Sequence, residues 1–355
     1  MKPTTRRTRK VFIAVTIGAA AITSLLVLSA TVGASSGKAT KAYTIGVSNG
    51  YFGNAARVEL QAAMKAYAAK PAVKPKIAKL IINNAGTSVA KQIAAVDAMI
   101  AQHVDLILLD SNSLTGLNKT IATAKKAGIP VVAVNDQVSS KLAWQVETVG
   151  ESFGATMARG FVANIHGQGN IVVLRGLAGN AVDAAEARGF YGVLHKYPKI
   201  KYLNESYGLW DDANAQKIMS DLLARYDNID GVYTEGGMQQ GVVRAFVAAH
   251  RDFVPVAGTD ENGFACQIKQ YYKKGLRGNQ VGTAIYAYAL ALKTGLDILD
   301  GKTVPKFIHT FFSGWGSQEA IKKCRTDVSP SLFLQVAYPR AGIFLTPKEV
   351  DKYMR

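Results

Sequence analysis

From Tyr43 onward the chain alternates short apolar runs with longer stretches of helical periodicity. Tyr43–Val47, Lys79–Asn83, Asp105–Asp110 and Pro130–Asn135 are short and apolar, and each ends in a polar residue or a turn signal. That is the pattern of strands buried on both faces. Between them, Val89, Ile93, Val96 and Ile100 share one helical face, as do Leu114, Leu117 and Ile121. Gly128-Ile129-Pro130 stops the third helix and opens the fourth strand. Strands roughly 25 to 35 residues apart, each followed by a helix, imply right-handed crossovers and a parallel sheet.

The pattern then restarts. Helices are predicted at Ser152–Ile165, Ala184–Tyr197, Asn214–Arg225, Gln239–His250, Gly263–Lys274 and Thr283–Leu299. Strands are predicted at Asn170–Leu174, Tyr202–Tyr207, Gly231–Thr234 and Pro255–Gly258. The fold class is therefore α/β, with two similar Rossmann-like lobes built on parallel sheets. The 355 residues, 48% of them hydrophobic, are enough for two such lobes.

The N-terminus departs from this pattern. Basic residues (Arg6, Arg7, Arg9, Lys10) precede an apolar run from Val11 to about Val32, and small residues follow. This is the order of a secretory signal, with cleavage expected after Ala34. An uncleaved anchor helix is the other reading, because the run approaches membrane-spanning length. No cysteine lies near the cleavage region to carry a lipid. The protein is expected in the periplasm or outside the cell. The five basic residues Lys2, Arg6, Arg7, Arg9 and Lys10 contribute to the formal net charge of +17; without them about +12 remains. The remaining basic residues are scattered and not interleaved with aromatics, so they read as a solvated surface and not as a nucleic-acid site. An oxidising compartment permits a disulfide between the only two cysteines, Cys266 and Cys324. Two separate buried thiols are equally compatible with the sequence.

Open parallel sheets bind ligands beyond the carboxyl ends of their strands. In the first module those ends carry Asn49, Tyr51, Phe52 and Asn54; Asp110 and Asn112; and Asn135 and Asp136. In the second they carry the loop Arg175 to Asn180, then Trp210, Glu235 and Asp260. Carboxylates and carboxamides satisfy hydroxyl groups, and aromatic faces cover the C–H faces of a sugar ring. The same residues also cap helices and turn chains, so the clustering at most strand ends carries the argument, not any one residue.

Specific segments reinforce this reading. Tyr43-Thr-Ile-Gly-Val-Ser-Asn-Gly-Tyr-Phe-Gly-Asn54, Asp105-Leu-Ile-Leu-Leu-Asp110 and Ala127-Gly-Ile-Pro-Val-Val-Ala-Val-Asn-Asp136 are followed by Gly176-Leu-Ala-Gly179 with Arg188-Gly-Phe190. Asp230-Gly-Val-Tyr-Thr234 and Val256-Ala-Gly-Thr-Asp260 complete the series. In order and spacing this set resembles the ribose/galactose-type periplasmic binding proteins (type I) of ABC transporters, over roughly residues 43 to 310. The resemblance implies two hinged lobes with a monosaccharide held between them. It implies an N-terminal lobe of residues 43–149 plus 282–309 and a C-terminal lobe of 150–281 plus 310–355. Hinges are then expected near Val149-Gly150, Gln280–Thr283 and His309–Phe311. It also implies a membrane permease as partner, a monomeric chain and no cofactor.

Carried over residue by residue, the resemblance places Asn49, Tyr51, Phe52, Asn135, Asp136 and Asp260 against the sugar. Two positions depart from the family pattern. The arginine expected after Gly179 is replaced by Ala184 with Asp183 beside it, and Glu235-Gly236-Gly237 stands for the usual Asn-Asp. Glu235, Gln239 and Trp210 are the expected substitutes, and Asn279 or Gln280 the amide near the hinge. Two rival functions remain. One is a sensor that presents its bound sugar to a chemoreceptor or kinase. The other is a serine hydrolase using Ser48 of Gly46-Val-Ser-Asn-Gly50, with His250 or His309 as base and Asp260 as acid. The histidines at 103, 166, 195, 250 and 309 lack metal-ligand spacing.

Overall fold

The computed structural model describes residues 41–147 and 150–354. The expected signal segment and its cleavage site lie outside the described residues, as does Val149 of the first expected hinge. Among the described residues no helix is long and apolar enough to cross a membrane.

The first module runs β1 (Tyr43–Asn49), α1 (Ala55–Ala68), β2 (Ile77–Asn84), α2 (Val89–Ala101), β3 (Leu106–Asp110), α3 (Asn118–Lys126), β4 (Val131–Asn135) and β5 (Trp144–Glu147). The second runs α4 (Glu151–Asn164), β6 (Gly169–Arg175), α5 (Ala181–Leu194), β7 (Ile200–Tyr207), α6 (Asp212–Arg225), β8 (Gly231–Thr234), α7 (Gln239–Ala248), β9 (Val256–Thr259), α8 (Asn262–Tyr271) and β10 (Gly278–Val281). The chain then returns through α9 (Ala287–Leu299), β11 (Phe307–His309), β12 (Gly314–Gly316), α10 (Ser317–Lys323) and α11 (Pro347–Asp351).

Two six-stranded sheets result, in the orders β11-β5-β4-β3-β1-β2 and β12-β10-β9-β8-β6-β7. Every pair is parallel except β10 with β12. Within each sheet the first five strands in chain order follow the order 2-1-3-4-5, so each sheet has a switch point beside its first strand. Ile45 and Val47 of β1 pair with Leu106 and Leu108 of β3, and all four are almost completely buried. Their alternate faces pack helices on both sides, which explains why the strands read as unbroken apolar runs.

Helix α9 docks on the first sheet. Its Ala287–Leu292 stretch is buried throughout, in one core with β1, β3, β4 and α1. It begins later than the expected Thr283, because the Thr283 N–H donates to Asp260 Oδ1 at 2.7 Å and holds that stretch extended between the sheets. The C-terminal stretch also differs from expectation. Residues 310–355 were placed with the second lobe, yet the stretch that packs there runs from Phe312 through β12 and α10. Leu332, Phe333, Val336, Ile343, Leu345 and Val350 join the core of the first sheet. The chain therefore passes between the sheets a fourth time, after Cys324. Cys324 is joined by a disulfide to Cys266 on α8.

Candidate functional site

The carboxyl ends of both sheets face one cavity of about 230 Å³. From the first sheet's side it is lined by Asn54, Arg57, Leu60 and Asn135. From the second it is lined by Phe153, Glu186, Trp210, Glu235 and Glu261, and the fourth passage adds Ser331 and Phe333. The space suits one small molecule, with aromatic surface on two sides and carboxylates, amides and a guanidinium between them.

Arg57 organises the first wall. Asn54 caps α1 by accepting from the Arg57 N–H at 3.0 Å, which fixes the side chain one turn into the helix. The guanidinium bridges Asp110 at the end of β3 and Asp136 after β4, the latter at 2.6 Å. Tyr288 of α9 donates to the same Asp110 oxygen at 2.6 Å. Burial pushes Asp110 up to about 7 against the pull of Arg57 and despite the Tyr288 hydrogen bond. Burial opposes charge on Arg57 too, but Asp110 and Asp136 together keep it protonated.

Arg175 organises the second wall. It ends β6 and pairs with Asp183 on α5 and with Glu205 on β7 at 3.1 Å, reaching Glu235 at 3.5 Å. Glu235 also accepts from the Gly176 N–H at 2.7 Å. Gly176 is required by the ring above it: a Cβ there would stand 2.1 Å from Trp210 Cε2. Trp210 covers the cavity only because that side chain is missing. Replacing Gly176 by Val is expected to expel the ring and raise the ligand Kd by at least about tenfold, the scale of losing a buried aromatic anchor. Calorimetric titration of the variant checks this.

Backbone strain marks the same place. Among the described residues, six non-glycine residues have left-handed φ. His103, His166 and His250 do so just past the ends of α2, α4 and α7, where such a conformation closes a helix. The other three are Asn135 at 66°, Leu209 at 60° and Trp210 at 52°, and Asn135 and Trp210 line the cavity. Strain held in a site wall, outside any helix end, fits a functional constraint on side-chain direction.

Of the residues singled out from sequence, Asn54, Asn135, Trp210 and Glu235 line the cavity. Asp110, Asp136 and Asp183 stand behind it, each held by an arginine. The remaining carboxamides are spent on the framework. Asn49 donates to Gln61 and Asn84, and its Oδ1 lies 3.0 Å from the Tyr288 hydroxyl. Asn112 donates to the Gly86 carbonyl, and Gln239 donates to Glu261 at 2.7 Å. Asn279 donates to the Met157 carbonyl. Gln280 donates to the carbonyls of Thr259 and Glu261 and accepts from Trp315. Tyr51 and Phe52 are half-buried outside the lining. Asp260 is fully buried and accepts from the backbone N–H groups of Thr283, Leu334 and Gln335. It therefore ties two of the passages between the sheets together, and burial lifts it to about 6 against those hydrogen bonds.

Arg57, Phe153, Glu186 and Phe333 were missed because none sits at a strand end. Arg57 was within reach: it follows a capping Asn by three residues at the start of a predicted crossover helix. Ser48 has no catalytic setting, since its Oγ is buried in β1 without a hydrogen-bond partner. His250 closes a helix, and His309 is exposed beside Glu147.

The chain matches the family model described as periplasmic binding protein domain over residues 45–303. It is similar to the xylitol-binding protein of Mycolicibacterium smegmatis, 31% identical over 227 residues, which covers 62% of this chain and 63% of that protein. It thus spans somewhat less than two thirds of that relative. The ribose import binding protein RbsB of Bacillus subtilis is 26% identical over 273 residues, covering 76% of this chain and 85% of that one. Among solved structures, an ABC transporter solute binding protein from Thermobispora bispora superimposes with a TM-score of 0.75 at 23% identity. That match covers 87% of this chain and 94% of the other.

Proposed function

The chain belongs to the periplasmic binding protein family, and from that premise we propose that it captures a monosaccharide or polyol outside the cytoplasm and delivers it to the permease of an ABC importer. The observation that carries this reading is a cavity lined from both sheets. A ligand there touches Arg57 and Asn135 on one side and Trp210 and Glu235 on the other, so it bridges two bodies. Contacts that exist only when both walls close on the ligand shift the population toward the closed form. The closed form is what a permease distinguishes. The names of the relatives, a xylitol-binding and a ribose import binding protein, support a polyhydroxylated ligand.

The first lobe in this reading comprises the first module with α9, β11 and the C-terminal stretch from Leu332. The second comprises α4 to β10 with β12 and α10. Export follows from the signal-like residues 1–34, and the chain acts as a monomer.

A thermal-shift panel of pentoses, hexoses, polyols and free amino acids tests the proposal. A ligand present at about a hundred times its Kd adds about 2.7 kcal/mol to stability. A rise in Tm with one or two sugars or polyols is the expected result. A rise with amino acids alone keeps the capture mechanism and overturns the ligand class, and no rise with any compound overturns the reading.

A further inference from the structure

The cavity is acidic in a basic protein. The chain carries 42 Lys and Arg against 25 Asp and Glu. Yet the charged residues that line the cavity are Glu186, Asp211, Asp212, Glu235 and Glu261, with Arg57 as the one base. Arg57 is already committed to Asp110 and Asp136. Resting on the reading that this cavity holds the transported solute, we propose that the ligand bears a basic nitrogen, as an amino sugar or amino-polyol does, and that its ammonium docks on Glu186 and Glu235.

Three observations on the second wall support this. First, the wall has more carboxyl groups than it can neutralise. Asp183, Glu205 and Glu235 surround Arg175, which pairs with Asp183 and Glu205 and reaches Glu235 only at 3.5 Å, and Glu186 adds a fourth carboxyl beside Asp183 and Glu235. Second, Glu186 is 3% exposed, lines the cavity, and has an Oε2 with no hydrogen-bond partner. Polar atoms buried in that state are costly, and a ligand donor placed there relieves the cost. Third, Glu186 is held in place. A Cβ on Gly154 of α4 would stand 2.0 Å from the Glu186 carbonyl oxygen, so the two helices meet backbone to backbone beneath it.

An ammonium fits better than another hydroxyl. It offers three donors and the positive charge that the wall lacks. Without it, protons must neutralise the wall. Burial raises Glu186 well above the ordinary carboxyl range, and Asp183 adds to this. Burial and the neighbouring Glu186 push Glu235 up to about 10. The other groups facing the pair are Asp183 from α5, Arg175 from β6 and Tyr233 from β8. Docking an ammonium returns one of these two carboxyls to its charged form, so binding releases one proton to solvent.

Titration calorimetry at neutral pH, in two buffers of different ionisation enthalpy, tests this. The probes are matched pairs: a hexosamine against its parent hexose, and an aminopolyol against its parent polyol. The amine of at least one pair is expected to bind about tenfold tighter or more than its neutral parent. Its heat is expected to depend on buffer as release of about one proton requires. Glu186→Gln, with an unchanged melting profile as proof of folding, is expected to erase the preference. Neutral parents binding as well as the amines overturn this inference and leave the solute-capture reading standing. A preference that survives in Glu186→Gln overturns the assigned site. Failure of amines and neutral compounds alike overturns both readings.

Discussion

Replacing Arg57 by Leu is expected to destabilise the folded chain by about 3–5 kcal/mol and to abolish ligand binding. The guanidinium is buried and bridges Asp110 and Asp136, and Asp110 also accepts from Tyr288. Leucine fills part of the volume but leaves two carboxyls facing each other with no cation. Asp110 already stands at about 7 through burial, with Arg57 pulling it down. Removing Arg57 raises it further, so in the variant the carboxyl takes up a proton. A folded-state pKa above the unfolded value favours folding at low pH, and that benefit disappears as pH rises through the folded value. The defect should therefore be mildest near pH 5 and deepen above pH 7. Urea unfolding at both pH values measures it. Equal stability of variant and parent at pH 8 would mean that the bridge is not a structural element of this wall.

Removing the disulfide is the second large effect. Cys266 and Cys324 close a loop of 58 residues, which corresponds to about 4 kcal/mol on the chain-entropy account. Its position adds a functional consequence. Asn262, one turn before Cys266 on α8, donates to the carbonyls of Arg325 and Ser329 just beyond the bridge. The chain then supplies Ser331 and Phe333 to the cavity, and the Phe333 N–H donates to Glu59 on α1 at 2.7 Å. The bridge thus anchors the start of the fourth passage between the sheets. Cys266→Ala with Cys324→Ala is expected to lower stability by about that amount, measured by denaturant unfolding, and to weaken ligand binding as well. A stability loss with binding fully retained would show that Phe333 is placed without the bridge.

The elements that the sequence exposed most clearly are the strands buried on both faces. Leu106–Asp110 and Val131–Asn135 are continuous apolar runs because helices cover both sides of a parallel sheet. Strands β5, β10, β11 and β12 were not visible. They are three or four residues long, and β10 buries Asn279 and Gln280 where apolar residues would mark a strand. Those two amides read as ligand contacts for the same reason that they are framework: a buried carboxamide near a strand end can satisfy either a sugar or a neighbouring carbonyl. Composition cannot decide between them.

The site was legible in location more than in identity. The strand ends pointed to the cavity, and Asn54, Asn135, Trp210 and Glu235 lie on its wall. Asp260 shows the limit of residue-by-residue inference. Its carboxylate is taken up by three backbone N–H groups from distant segments, and that demand arises only once the chain has folded back. Phe333 was invisible for a related reason, since nothing local in Ser329–Gln335 indicates that it crosses between the sheets. The acidic balance of the second wall could have been noticed. Asp183 and Glu186 fall three residues apart at the start of the helix predicted from Ala184, and Glu235 stands where the family pattern has Asn.

The central claim is that a small solute is held between the two sheets against Trp210. The chain has three tryptophans, and Trp210 alone lines the cavity. Trp144 donates to the Val304 carbonyl at the edge of the first sheet, and Trp315 donates to Gln280 in the second. Titrating tryptophan emission with whichever compound binds by calorimetry is the most direct test. The account predicts a saturable change in emission in the parent protein and its loss in Trp210→Phe. Calorimetric saturation with no change in Trp210 emission would contradict it.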